Sequence, residues 1–242
     1  MKLINKIAAV ILCVALMFTC FPLSVFAKAS DSENKKEANI VLFGYFNNYT
    51  ADEVNEYYKT NLASIMKIID GSNGRSFKNY IKSISYGKLE IENIFPQYSG
   101  GNIIPVNVGV SEDDANVLNY DVSVIDALVS NMPSIADKIV DKDGDGYVDN
   151  VMLIVMNKTN EAVSGTTLVP HKGDYTGSSK INNKKIGTYN MFGTYRLLNE
   201  KTGLVAHEFL HTLGYADLYK NTTSQYPVYV WSIMGGPSQY PQ

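Results

Sequence analysis

At 242 residues the chain is long enough for one globular domain with a substantial core, or for two small subdomains flanking a cleft. Hydrophobic residues at 45% and charged residues at 19% exclude a disordered chain. A formal charge of -3 argues against nucleic acid as a main partner, because phosphate binding needs a clustered basic surface.

The first residues bear on the compartment. Lys2 and Lys6 precede an uncharged apolar run over residues 7–18, and Val25, Phe26 and Ala27 offer small residues before a cleavage point. This three-part pattern is that of a secretory signal peptide, residues 1–27, with cleavage after Ala27 or Ala29. The apolar run is short for a bilayer span and Pro22 breaks its continuation, so no stable membrane insertion is expected after cleavage. Both cysteines, Cys13 and Cys20, lie in the segment that is lost. A secreted chain without disulfides needs another staple, and bound metal is the usual one.

Residues 28–38 are polar and charged and read as a flexible leader, so the folded domain is expected over 39–242. Residues 39–46 form a short β-branched and aromatic run, expected as a buried strand. Residues 51–69 carry apolar side chains at helical spacing, with Thr50 or Asp52 as cap, and a turn comes next at 70–74. A second helix is expected over 76–86, ended by Gly87. Residues 88–95 alternate as a half-buried strand does, and 96–110 read as loop with a short extended piece. Residues 121–140 support one or two helices, with Pro133 at a boundary. Residues 151–157 are a fully apolar strand. Residues 158–198, rich in Gly, Thr, Asn and Tyr, read as loops and edge strands bordering a cleft. The order predicts an α+β fold with a mixed sheet and helices packed on its faces.

The chemistry concentrates in residues 204–217. His207 and His211 are four apart, so a helix stacks both imidazoles on one face, where they can grip one metal ion. Glu208 stands beside them in an HExxH arrangement, placed to act as general base. Leu204, Val205, Phe209, Leu210 and Leu213 would bury the rest of the helix, and Thr202 would cap it. Zinc takes three protein ligands in a catalytic site and leaves a fourth position for water. Gly214 can end the helix in a left-handed conformation and return the chain, which brings Asp217 within reach as third ligand. Only three histidines occur in the whole chain and two of them sit here, which makes a chance pattern less credible. Farther on, Met234 lies in a run that offers a hydrophobic floor to a metal site.

The string at 207–219 together with that at 229–236 resembles the M6 family of secreted bacterial metallopeptidases, the immune inhibitor A type, which is metzincin-like. The resemblance extends to Ser85-Tyr86-Gly87-Lys88-Leu89, to residues 141–155 and to Pro170-His171, and covers most of 39–240. It implies a zincin/metzincin-like fold and a short C-terminal subdomain with a Met-turn at Met234. It further implies a zinc endopeptidase with His207, His211 and Asp217 as ligands and Glu208 as general base. An Asp stands where a typical metzincin has a third His. The chain also stops at Gln242, just past the Met-turn, so the catalytic domain is expected to be incomplete there.

A second metal candidate is the acidic run at 141–149. Asp141, Asp143, Asp145 and Asp149, with Gly146 at the bend and the Tyr147 carbonyl, resemble the start of a calcium loop; the closing Glu is replaced by Met152. His171 is expected on a loop near the cleft, with a surface role or a role in substrate binding. Tyr215, Tyr219, Tyr226 and Tyr229 are near enough in sequence to offer an oxyanion donor. The expected activity is hydrolysis of peptide bonds in protein or peptide substrates by a secreted, extracellular enzyme; the alternative is an inactive zinc- or calcium-binding secreted module.

Overall fold

A computed structural model of the chain describes residues 34–72, 74–98, 100–114, 120–157, 168–218, 228 and 232–235. The expected signal peptide, the leader up to residue 33, Tyr219, Tyr226 and Tyr229 lie outside these residues. Strand β1 is Lys35–Tyr45, followed by helices α1 (Ala51–Asp70) and α2 (Phe77–Ile84). Next come β2 (Leu89–Ile94), the two-residue β3 (Val106–Asn107) and helix α3 (Tyr120–Asn131). Strands β4 (Tyr147–Val148), β5 (Asn150–Met156), β6 (His171–Asp174), β7 (Lys180–Ile181), β8 (Lys184–Ile186) and β9 (Thr188–Gly193) lead into helix α4 (Thr194–Thr212).

The main sheet runs in the order β2-β1-β5-β9-β6, with β3 paired to the far end of β1. All neighbours are parallel except β6, which pairs antiparallel with β9 along the edge. The sheet is therefore mixed, as the order of elements predicts. Every residue of β5 is buried, as a central parallel strand covered on both faces should be. Alternation along the strands divides the core in two. Ile40, Leu42, Val151, Leu153 and Met191 face α3, whereas Val41, Phe43, Met152, Ile154 and Phe192 face α1, α2 and α4. Among the described residues no helix is long and apolar enough to cross a membrane.

Local signals explain the first helices. Thr50 accepts from the Glu53 amide while Glu53 reaches back to the Thr50 amide, a reciprocal capping box. Ser76 caps α2 through the Asn79 amide.

Three expectations are corrected. The leader does not extend to residue 38: β1 begins at Lys35, and Glu37 and Ala38 are buried. The charged start is held because residues 35–38 pair in register with Leu89–Glu92, Lys35 bridges Glu37, and the Ala38 amide donates to Asp149. Residues 121–140 hold one helix, within the one or two expected, and it ends before Pro133, whose ring disfavours helix in the preceding residue. Strand β9 is interior rather than an edge, sandwiched between β5 and β6. The first half of α4 also falls in the span expected as loop. It starts directly from β9 at Gly193, where a Cβ would meet the Asn157 carboxamide at 2.7 Å.

Candidate metal centre

Helix α4 is bent at Lys201, whose φ of 54° and ψ of -140° are not helical. That bend sets the second half of the helix on its own course across the sheet. Its apolar positions Leu204, Val205, Ala206 and Phe209 are buried, and Phe209 meets Phe77 of α2 edge-on at 5.1 Å. Thr202 does not serve as the expected cap; its hydroxyl donates to the Arg75 carbonyl.

Packing of this face leaves His207 2% and Glu208 6% exposed, with His211 one turn farther at the rim. Gly214 takes φ of 88°, a conformation in which glycine carries no steric cost, and its amide closes on the His211 carbonyl. The chain then turns back and brings Asp217 onto the imidazoles. Asp217 Oδ1 lies 3.2 Å from His207 Nε2 and 3.3 Å from His211 Nε2, and the two Nε2 atoms are 3.3 Å apart. A triangle with these edges is one face of a tetrahedron whose centre lies about 2.0 Å from each corner, the length of a zinc–imidazole or zinc–carboxylate bond. These three residues are one of two groups among the described residues whose ligand atoms converge in this way.

The other ring nitrogens fix the protonation. His207 Nδ1 is 2.9 Å from the Ile233 carbonyl, and His211 Nδ1 is 2.7 Å from the Tyr215 carbonyl. A carbonyl only accepts, so each Nδ1 carries a proton and each ring turns its Nε2 to the triangle. Two ring nitrogens and a carboxylate oxygen this close together need a proton or a metal cation between them. The donor set therefore fits a divalent metal, and two imidazoles with one carboxylate suit zinc.

The Glu208 carboxylate lies close enough to His207, His211 and Asp217 to feel their charge, and has no hydrogen-bond partner among the described residues. Burial raises its pKa above the ordinary carboxylate range, against the pull of His207 and His211. Met234 is buried in the core that carries α4, its carbonyl accepts from the Leu218 amide, and the neighbouring Ile233 carbonyl holds His207. The returning segment is thus tied to the residues around Met234. Tyr215 contributes its backbone carbonyl; its ring is exposed.

The second converging group contains Asp141, Asp143 and Asp149. Asp145 is not part of it: its carboxylate accepts from the Tyr147 amide, as a short turn allows. Asp141 accepts from the amides of Gly144 and Gly146, and Lys184 beside it holds its carboxyl below the usual range. Burial lifts Asp149 above that range, although the Ala38 and Lys142 amides donate to it.

His171 does not lie on a loop. It opens edge strand β6, opposite Met191, and so faces α3 rather than α4. Its Nε2 meets Asp121 at 3.0 Å, its Nδ1 meets the Val169 carbonyl at 2.8 Å, and Tyr189 donates to the same Asp121 oxygen. Burial opposes charge on this imidazole, but the carboxylate and the carbonyl outweigh it and its pKa rises. Burial likewise opposes charge on Asp121, and the bonds from His171 and Tyr189 outweigh it, so its pKa falls. The geometry makes His171 a clasp between β6 and α3.

Set against models of known protein families and against curated proteins, the chain matches none.

Proposed function

We propose that this chain is a zinc-dependent endopeptidase. Within that class, the motif strings favour a member of the M6 type, and the N-terminal pattern favours secretion. The carrying observation is the triangle of His207 Nε2, His211 Nε2 and Asp217 Oδ1, with both Nδ1 atoms committed to carbonyls and a buried carboxylate next to it.

His207, His211 and Asp217 would hold the ion. Zinc bound there supplies Lewis acidity, which polarises an amide carbonyl and lowers the pKa of water toward about 7. Glu208 takes the proton of the attacking water and passes it to the leaving amine nitrogen. The Ile233 and Tyr215 carbonyls hold both rings in the tautomer that presents Nε2. Strand β6, antiparallel at the sheet edge and packed near α4, suits an extended peptide as substrate. The acidic loop of Asp141, Asp143 and Asp149 would take calcium as a structural staple.

The test is casein cleavage by the purified zinc-loaded chain. Cleavage that stops with a chelator, and a Glu208→Gln variant that keeps zinc but loses on the order of 10²–10⁴ in rate, would support the reading. Zinc bound without any cleavage would leave an inactive metal-binding module instead.

A further inference from the structure

Four asparagines from four strands meet on the sheet face that carries the catalytic helix. Asn39, Asn150 and Asn190 are wholly buried, and Asn93 is half-buried. Asn93 Nδ2 donates to Asp70 Oδ1 at 2.9 Å, and Asn39 Nδ2 donates to Asn93 Oδ1 at 2.7 Å. Asn150 Nδ2 donates both to Asn39 Oδ1 at 2.7 Å and to Asn190 Oδ1 at 3.0 Å. Asn190 Nδ2 then donates to the Glu208 carbonyl at 2.9 Å and to Thr212 Oγ1 at 3.2 Å. The result is a continuous amide ladder from the end of α1, across β2, β1, β5 and β9, to the backbone of the proposed general base.

Its polarity is set by its ends. Asp70, ion-paired with Lys78, only accepts, and so does the Glu208 carbonyl. Donors must therefore point outward at both ends, and one member in the middle must donate both ways. Asn150 is that member, because a carboxamide nitrogen carries two protons. The consequence is visible at its other atom: Asn150 Oδ1 is buried with no hydrogen-bond partner. Leaving a buried oxygen unmet is unfavourable, and the ladder it permits ends on α4 between the two metal-binding turns. The Glu208 carbonyl and Thr212 span the same turn as His207 and His211, so a donor rising from β9 fixes the rotation of that turn over the sheet.

We propose that Asn190 is a positioning residue for Glu208 and His211, held by the ladder through Asn150. This rests on the proposed zinc site, and the test separates the two. The cobalt-substituted chain is compared with Asn190→Leu, Asn190→Asp and the control Thr50→Ala, which removes the cap of α1 and lies outside the ladder. The expected result for Asn190→Leu is a shifted visible cobalt spectrum and kcat lower by about tenfold to a hundredfold, with KM little changed. Thr50→Ala should lower the melting temperature yet leave spectrum and kcat alone. Should the Leu variant not fold, Asn190→Asp removes the donors while keeping shape and the acceptor for Asn150, and carries the same expectation. A folded Asn190 variant with the wild-type spectrum and wild-type kcat overturns the proposal. If the wild type binds cobalt but cleaves nothing, the peptidase reading fails, and the spectrum alone decides the role of Asn190.

Discussion

His207 Nε2 and His211 Nε2 stand 3.3 Å apart with both Nδ1 atoms already bonded to backbone carbonyls. Without a metal these two nitrogens and the Asp217 oxygen can be held together only by protons shared between them. A metal takes the place of those protons, so folding and metal binding should be linked.

Chelation should therefore lower the melting temperature, not only remove activity. A ligand present at a thousandfold excess over its Kd stabilises by about 4.1 kcal/mol. For a domain of this size each kcal/mol shifts the midpoint by roughly 2–4 °C, so a drop on the order of 10 °C is expected. Differential scanning calorimetry of holo and stripped protein checks it. Identical midpoints would speak against a metal on His207, His211 and Asp217.

Calcium should act separately from zinc. Millimolar calcium is expected to raise the melting temperature of the wild type, the affinity of extracellular calcium modules being on the order of 10⁻⁴–10⁻³ M. Asp143→Ala should abolish the increment with little change in the calcium-free midpoint, because Asp143 is exposed and its carboxylate accepts only a long bond from the nearby Asp145 amide. Asp149→Ala should destabilise even without calcium, by about 1–3 kcal/mol, since the Ala38 and Lys142 amides lose their acceptor. Isothermal titration with calcium and urea unfolding read the two effects apart. A calcium response that survives Asp143→Ala would remove this loop from consideration.

The His171–Asp121 clasp gives a pH dependence with a definite sign. The folded pKa of His171 is raised, so its contribution is whole below the unfolded value of about 6.5 and is lost as pH rises through the folded value. That of Asp121 is lowered, so its contribution is present above about 3.9 and is lost as pH falls through the folded value. The clasp is strongest between these limits. His171→Asn should lower the melting temperature more at pH 5.5 than at pH 9. An equal loss at both values would mean that the contact is not ionic.

The legibility of each feature in the sequence depends on the range over which its signal acts. The helix carrying His207 and His211 and the return to Asp217 are readable because their determinants are local: a four-residue spacing, then Gly214 at a positive φ. The cap at Thr50 is readable for the same reason. The strand at Lys35–Ala38 is not, because its residues are charged and its order comes from Leu89–Glu92, more than fifty positions away. Strand β9 escapes a reading by pattern because Thr188, Asn190 and Gly193 break any apolar run; Asn190 is polar because it serves the helix above it. The amide ladder leaves no trace at all, since residues 39, 93, 150 and 190 become neighbours only through sheet register. Counting carboxylates along the chain does not tell which of them converge: Asp141, Asp143 and Asp149 do, while Asp145 Oδ1 turns to the Tyr147 amide.

The central claim is that two imidazoles and one carboxylate converge on a single zinc ion. The most direct measurement is an anomalous-difference map at the zinc absorption edge on crystals of the purified chain. Zinc at this site gives one peak on α4, about 2.0 Å from His207 Nε2, His211 Nε2 and an Asp217 carboxylate oxygen. No peak there in zinc-supplemented crystals, or a peak on the two imidazoles with Asp217 turned away, would contradict it.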